Sequence, residues 1–253
     1  MGSDHFEERC LPGIDWNIAG QLELLDTFHY SEELADLQGD GSKLPAFRFN
    51  NGAFEPGDAE YWYQIIRHAK PMRIFEIGSG NSTLLAINAI RKNRSEDPSY
   101  RCEHVCIEPY EVPWLEQAGV TVIRKKVEEI GVSLFAELNE NDILFIDSSH
   151  IIRPRGGGLF EYRELLPSRK KGVIVHGHDI FSPRNYPSQW LNDEVRLWNE
   201  QYLLEAFLTN NGHWKILGAL NYLRHNHYER LKSATPFLTP EREPGSLYIQ
   251  RIQ

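Results

Sequence analysis

Four apolar runs in this sequence end in residues that can do chemistry. "RIFEI" carries Glu76 and runs into Gly78, Ser79 and Gly80. "HVCIE" ends in Glu108, "DILFID" ends in Asp147 and continues to His150, and "GVIVHGHD" carries His176, His178 and Asp179. Buried carboxylates are costly without partners, so acids and imidazoles at the ends of apolar strands favour a site over chance. Gly78 and Gly80 let the backbone turn tightly and approach a ligand, and amides at the helix start beyond them can hold a polar group. A dinucleotide fold would use the same turn, but Thr83 stands where the third glycine of G-x-G-x-x-G belongs. Glu76 would also repel a pyrophosphate, so a ligand with a cationic end fits better. Glu108, at the end of the next strand, can accept both hydroxyls of a ribose.

Two chemistries are open to Asp147, His150, His178 and Asp179. In one, His150 or His178 is a general base for a hydroxyl, since imidazole titrates near neutral pH. In the other, Asp147 and Asp179 with a histidine, His178, hold a divalent cation; adjacent strand ends are only about 4.8 Å apart, and oxygen-rich ligation suits Mg²⁺ or Mn²⁺. A third reading gives the histidines only hydrogen bonds in the site. His176 lies further inside its strand and reads as structural.

The elements that must position these residues alternate. Helical spacing at Leu22, Leu25, Phe28, Leu34 and Leu37 predicts an N-terminal helical extension over residues 1–57, broken by "QGDGSKLP". Asp58 can cap a helix with Tyr61, Trp62, Ile65 and Ile66 on its apolar face, closed by Pro71. From there come a strand at "MRIFEIG", a helix at "NSTLLAINAIRKN", strands at "YRCEHVCIEP" and "GVTVIRKKV", and a helix at "VSLFAELNE". A strand at "NDILFIDSS", a helix at "GGLFEYRELLPS" and a strand at "KGVIVHGHDI" follow. One long amphipathic helix spans "WLNDEVRLWNEQYLLEAFLTN", and "WKILGALNYL" and "GSLYIQRI" close the pattern. Strands separated by helices predict right-handed βαβ units and a mostly parallel, doubly wound α/β sheet over residues 58–253. Ligands of such sheets bind beyond the carboxyl ends of the strands, where strand order reverses.

The 253 residues carry a formal net charge of −9 with no basic stripe, which argues against a nucleic-acid partner and leaves a small-molecule substrate. No apolar run approaches the roughly 20 residues that span a bilayer, and the acidic start "MGSDHFEERC" lacks a signal-peptide core and a myristoylation pattern. Cys102 and Cys106, at even spacing in one strand, read as a reduced pair on one face, and with Cys10 they give no disulfide framework. The cytoplasm is the expected compartment, and the apolar helix faces of the N-terminal extension offer a homo-oligomer contact.

"FEIGSGNST", "IEP", "DILFIDSSH" and "GVIVHGHDIF", in this order, resemble a class I S-adenosylmethionine-dependent methyltransferase. "IDSSH" and "HDIFSPRNYPSQW" are similar to the "IDGSH" and "HDIF-P-YP-W" signatures of a small bacterial subgroup, and the likeness spans about residues 50 to 250. It implies a Rossmann-like, seven-stranded sheet with an antiparallel last strand, at "GSLYIQRI". It implies S-adenosylmethionine as cofactor, with Glu76, Gly78, Ser79 and Gly80 around its methionine part, Ser82 and Thr83 at the helix start beside them, and Glu108 on the ribose. Asp147 would lie near the methionine amino group or a metal. "VEEI" (127–130) falls where adenine contacts are usual but lacks the usual Asp followed by an apolar residue. The implied activity is methyl transfer to a small-molecule hydroxyl, of a sugar or natural product, with His150, His178 and Asp179 as catalytic candidates. A metal-dependent hydroxylase-like enzyme, a cofactor-binding partner subunit without activity and a nicotinamide dehydrogenase are the rival readings.

Overall fold

The computed structural model describes residues 6–37 and 45–253. Residues 1–5 and most of the glycine-rich break after Leu37 lie outside that range. In chain order the elements are α1 (Ile18–Asp26), α2 (Asp58–Ala69), β1 (Arg73–Ile77), α3 (Asn81–Glu96), β2 (Glu103–Ile107), β3 (Thr121–Ile123), β4 (Ile143–Ile146), α4 (Gly157–Phe160), β5 (Ile174–His178), α5 (Ser188–Asn192), α6 (Glu200–Leu208), β6 (Trp214–Ala219), α7 (Leu220–Asn226), α8 (Tyr228–Ala234) and β7 (Ser246–Arg251). No described helix is long and apolar enough to cross a membrane.

The strands form one sheet in the order β3-β2-β1-β4-β5-β7-β6. β1 to β5 are parallel, while β7 inserts antiparallel between β5 and β6. This is the expected Rossmann-like doubly wound sheet with an antiparallel last strand. Order reverses between β1 and β4, so the crevice lies beyond their carboxyl ends.

Alternation with period two divides the core. Ile74, Ile143, Phe145, Ile174 and Tyr248 pack under α2 and α3, while Phe75, Ile77, Leu144, Ile146, Val175 and Ile249 pack on the other face with Phe135, Phe160, Leu165 and Leu204. Both faces are covered, which is why the central strands read as continuous apolar runs. The N-terminal segment adds Leu25, Phe28, Leu34, Phe47 and Phe54 to the first core. It also covers the edge strand β6: Asn17 Nδ2 donates to the Ile216 carbonyl (2.8 Å), and the Ala219 N–H donates to Gln21 Oε1 (2.7 Å).

Several elements differ from the expectation. Asp58 does not cap α2: the Gly57 N–H is taken by the Glu60 carboxylate, and Asp58 Oδ2 instead accepts the Gly245 N–H at 3.1 Å. The run at 132–140 forms only a tight 3₁₀ turn, Leu134–Glu137. Beyond α4 the coil widens into a π turn over Glu161–Leu165 and then tightens over Leu166–Ser168, where Pro167 cannot donate to a continuing helix. The long helix at 190–210 is two helices with a break at 193–199. Val195 takes φ +52° there. Tertiary bonds replace helical ones: the Asn199 N–H donates to the His150 carbonyl (2.9 Å), and Asn199 Oδ1 accepts the Ile152 N–H (2.6 Å).

Phe145 is fully buried and meets the rings of Phe54, Trp62 and His176. Phe145→Ala is expected to lower the free energy of unfolding by about 3–5 kcal/mol. Urea unfolding should show a lower midpoint at unchanged slope; an unmoved midpoint would place the ring outside the core that holds the sheet together.

Candidate active site

Gly78 adopts φ +86°, and a Cβ added there would lie 2.0 Å from the carbonyl oxygen of Asp147. Only glycine lets β1 turn this close to the end of β4. Gly80 differs from the expectation: its backbone is extended, and nothing occupies the space where a Cβ would be.

Past the turn is a cavity of about 370 Å³. Ile77 and Gly78 line it together with Glu108, Tyr110, Val127, Glu128, Asp147 and Ser148. Glu108 is held still, with Oε2 accepting the Ser79 N–H at 3.0 Å and Oε1 the Tyr110 N–H at 2.9 Å. Three of the cofactor candidates, Gly78, Glu108 and Asp147, therefore line one cavity, and the "VEEI" segment reaches it through Val127 and Glu128.

Glu76, Ser82 and Thr83 lie beneath the turn instead. Glu76 is fully buried. Its carboxylate bonds His104 Nε2 (2.8 Å) and accepts the Thr83 hydroxyl (2.6 Å) and the Ser82 hydroxyl (3.4 Å). It thus points into the α3 face of the sheet and does not line the cavity. The physical reason is parity: in a strand neighbouring residues face opposite sides, and Glu76 shares its side with Ile74 under α3, while Ile77 lines the cavity.

Asp147, His150, His178 and Asp179 come together beside the cavity. His150 Nε2 is 3.2 Å from Asp147 Oδ1 and 3.6 Å from Asp179 Oδ2. His178 Nδ1 is 3.4 Å and 3.7 Å from the same two oxygens. Both His150 (φ +56°) and Asp179 (φ +58°) sit in the left-handed region, where a non-glycine residue is strained and persists only when its surroundings hold it. Burial alone would lower both imidazole pKa values. For His150 the charges of Glu200 and Asp147 outweigh it and raise the value well above 6.5; for His178, Asp179 and Asp147 raise it to about 10. Burial pushes Asp147 up, but His178 and His150 hold it well below the usual carboxylate range. Asp179 is raised, by burial first and by Asp147 among its neighbours. The ligand atoms of Asp147, His150 and Asp179 lie within 4.8 Å of one another, a spacing that suits a shared ion.

Residues 75–180, under half of the chain, match the family described as "Methyltransferase domain". A relative from Archaeoglobus fulgidus, described as an uncharacterized protein, is 33% identical over 138 residues, 52% of this chain; the aligned part is 61% of that relative's length. Among solved structures, the plantazolicin methyltransferase BpumL in complex with SAH aligns over 77% of this chain and 86% of its own at 11% identity, with a TM-score of 0.39.

The span similar to that family contains the glycine turn, Glu108, Asp147, His150, His178 and Asp179. A residue from outside it completes the cluster: Glu200, at the start of α6, bonds His150 Nδ1, and Trp198 lies over the same ring with centroids 4.1 Å apart. Sequence reading missed Glu200 because it treated residues 190–210 as one helix. It also missed Glu161, which is buried and accepts the hydroxyl of the cavity-lining Ser148 at 3.0 Å. The sequence pattern held a signal for His104, which falls between Cys102 and Cys106 on one strand face. The loop 182–190 packs inward in part: Tyr186 is 1% exposed, and Arg184 pairs with Glu8 at 3.3 Å. Arg153 lines the cavity, His176 stacks on Tyr248 (4.0 Å), and His225 bonds Glu243 (2.8 Å).

Burial, reinforced by the charge of Glu200, raises the pKa of Glu161 to about 8. The folded state therefore holds a proton that the unfolded chain releases near pH 4.3. Stability falls as pH rises from about 4.5 to about 8. Glu161→Gln keeps an acceptor for Ser148 and cannot ionise. It should match the wild type below about pH 4.5 and exceed it by a few kcal/mol above about pH 8. Parallel stability–pH curves from urea unfolding would show that Glu161 is not held neutral.

Proposed function

We propose that this chain transfers the methyl group of S-adenosylmethionine to a hydroxyl oxygen of a small molecule, such as a sugar or natural product, with a divalent cation beside the methyl donor. The observation that carries this reading is the double role of Asp147, which lines the cavity and also faces both histidines of the cluster. A donor in the cavity and an acceptor at the cluster would then meet at one residue. In this reading Glu108 receives the ribose hydroxyls, Val127 and Glu128 flank the adenine, and Asp147 faces the ammonium end of the methionine part. When bound, S-adenosylmethionine supplies a sulfonium methyl whose C–S bond breaks as the new C–O bond forms. The chain must align the acceptor oxygen with that methyl and remove its proton.

The donor set fits a cation. Asp147, Asp179 and His150 offer ligand atoms within 4.8 Å of one another, whereas the expected histidine, His178, stands outside that group with Nδ1 3.4 and 3.7 Å from the two carboxylate oxygens; Glu200 stands behind His150 as second-layer carboxylates stand behind metal-bound imidazoles. His178 Nδ1 makes no hydrogen bond among the described residues. Two carboxylates with imidazole suit Mg²⁺ or Mn²⁺ and widen the choice of ion, and a cation here would lower the pKa of an acceptor hydroxyl. The same Glu200–His150 contact favours a second, cation-free reading. There Glu200 orients His150, and His150 Nε2 takes the acceptor proton in the neutral form that the ring reaches only above its raised pKa. The three cysteines are free, which suits the reducing cytoplasm.

Calorimetry with S-adenosylhomocysteine tests the cofactor. Glu108→Ala should weaken its binding about tenfold or more; unchanged affinity would remove Glu108 from the ribose. No binding by the wild type together with tightly held iron would overturn the methyl-transfer reading. Asp179→Ala should abolish formation of S-adenosylhomocysteine from the donor and a pool of hydroxyl acceptors, while cofactor affinity stays within about threefold. Equal loss of both would place Asp179 in the cofactor pocket. Dialysis against a chelator separates the two proton-removal readings: activity lost and restored by Mg²⁺ or Mn²⁺ supports the cation, and full activity retained supports the His150 base.

A further inference from the structure

Behind the glycine turn is a polar chain that the proposed chemistry does not use. β1 and β2 run parallel with Glu76 opposite Cys106 and Ile74 opposite His104, which makes Glu76 and His104 diagonal neighbours on the α3 face. His104 Nε2 bonds Glu76 Oε1 at 2.8 Å, and the Thr83 hydroxyl donates to Glu76 Oε2 at 2.6 Å. Thr83 Oγ1 in turn accepts the Gly80 N–H at 3.1 Å. A hydroxyl has one proton and two lone pairs, so Thr83 does both at once, and the direction of each bond is set by the next. The adjacent amide, Ser79 N–H, donates to Glu108 Oε2. A line of hydrogen bonds therefore runs from a buried imidazole to the turn, and the adjacent amide of the turn holds Glu108, a carboxylate that lines the cavity.

We infer that His104 and Glu76 are positioning residues for the cofactor, acting through Thr83 on the Gly80 amide and thereby on the Ser79 amide that aims Glu108. The inference rests on the reading of Glu108 as the ribose acid. It accounts for a carboxylate in a core strand, where an apolar residue would be less costly. It also accounts for threonine at the position where a dinucleotide turn has its third glycine. The competing use of the same residues is a metal site, since Glu76, His104 and Cys106 have ligand atoms within 4.8 Å of one another. The 2.8 Å contact between His104 Nε2 and Glu76 Oε1 opposes it: an ion about 2.0–2.2 Å from each of them would hold those atoms further apart.

The decisive pair is Thr83→Val, which keeps the shape and removes the hydroxyl, against Thr83→Ser, which keeps the hydroxyl. Two quantities are measured: S-adenosylhomocysteine affinity by calorimetry, and hydrogen exchange of the Gly80 amide. Thr83→Val should weaken binding about tenfold and speed exchange at Gly80, while Thr83→Ser stays within about threefold on both. His104→Gln, which retains a donor toward Glu76, should behave like Thr83→Ser, and His104→Leu like Thr83→Val. Wild-type behaviour of Thr83→Val, or equal losses in the valine and serine variants, would overturn the inference. So would stoichiometric zinc that Cys106→Ala releases. If the wild type binds no S-adenosylhomocysteine, the cofactor reading fails, and exchange at Gly80 alone decides whether the relay exists.

Discussion

Everything at this site depends on how closely β1 approaches the end of β4. The Gly78 backbone lies against the Asp147 carbonyl, at a distance that leaves no room for any side chain on Gly78. The Asp147 N–H donates to the Ile77 carbonyl at 2.8 Å, and the Gly78 N–H to the Ile107 carbonyl at 3.0 Å. Three strand ends are locked together where the strand order reverses. The helices leave to opposite faces there, and the crevice between them becomes the cavity. A bulkier residue at 78 would separate β1 from β4 and move Asp147, and with it both the cavity wall and the histidine cluster.

The second constraint is electrostatic. Two imidazoles and several carboxylates share a small, poorly solvated space. Such an arrangement is sustainable only when each charge has a partner. Asp147 answers both histidines, Glu200 answers His150 from behind, and His150 and Asp179 are held in strained backbone conformations to meet them. The site is thus kept in place by residues far apart in the chain. α6 contributes Glu200 only because the preceding segment breaks its helix and bonds back to the backbone around His150.

Much of the architecture was legible from local pattern. Apolar runs buried on both faces predicted the central strands, and their alternation with helices predicted the parallel sheet and the crevice. The terminal strand was expected to be antiparallel, and it is. The strand-end residues Glu108, Asp147, His150, His178 and Asp179 were legible for the same reason: once the strands are known, their carboxyl ends are known. For Glu76, proximity to the glycine turn suggested a place in the cavity, while strand parity sends its side chain to the α3 face, onto His104 and Thr83. The break at 193–199 was invisible because its apolar spacing continues the helical period. The bonds that interrupt it come from Ile152 and His150, more than 40 positions away.

The sequence by itself determined which residues could form strands and helices, that one sheet with covered faces would result, and that acids and imidazoles would stand at its carboxyl edge. These follow from periodicity and from the cost of burying charge, both of which act locally along the chain. Only the tertiary structure decided that Asp147 would be shared between cavity and cluster, that Glu200 would support His150, and that Glu76 would bond to His104 and Thr83. Those pairings depend on parallel register and on crossovers of about 30 residues or more. Neither leaves a mark in the spacing of any single segment.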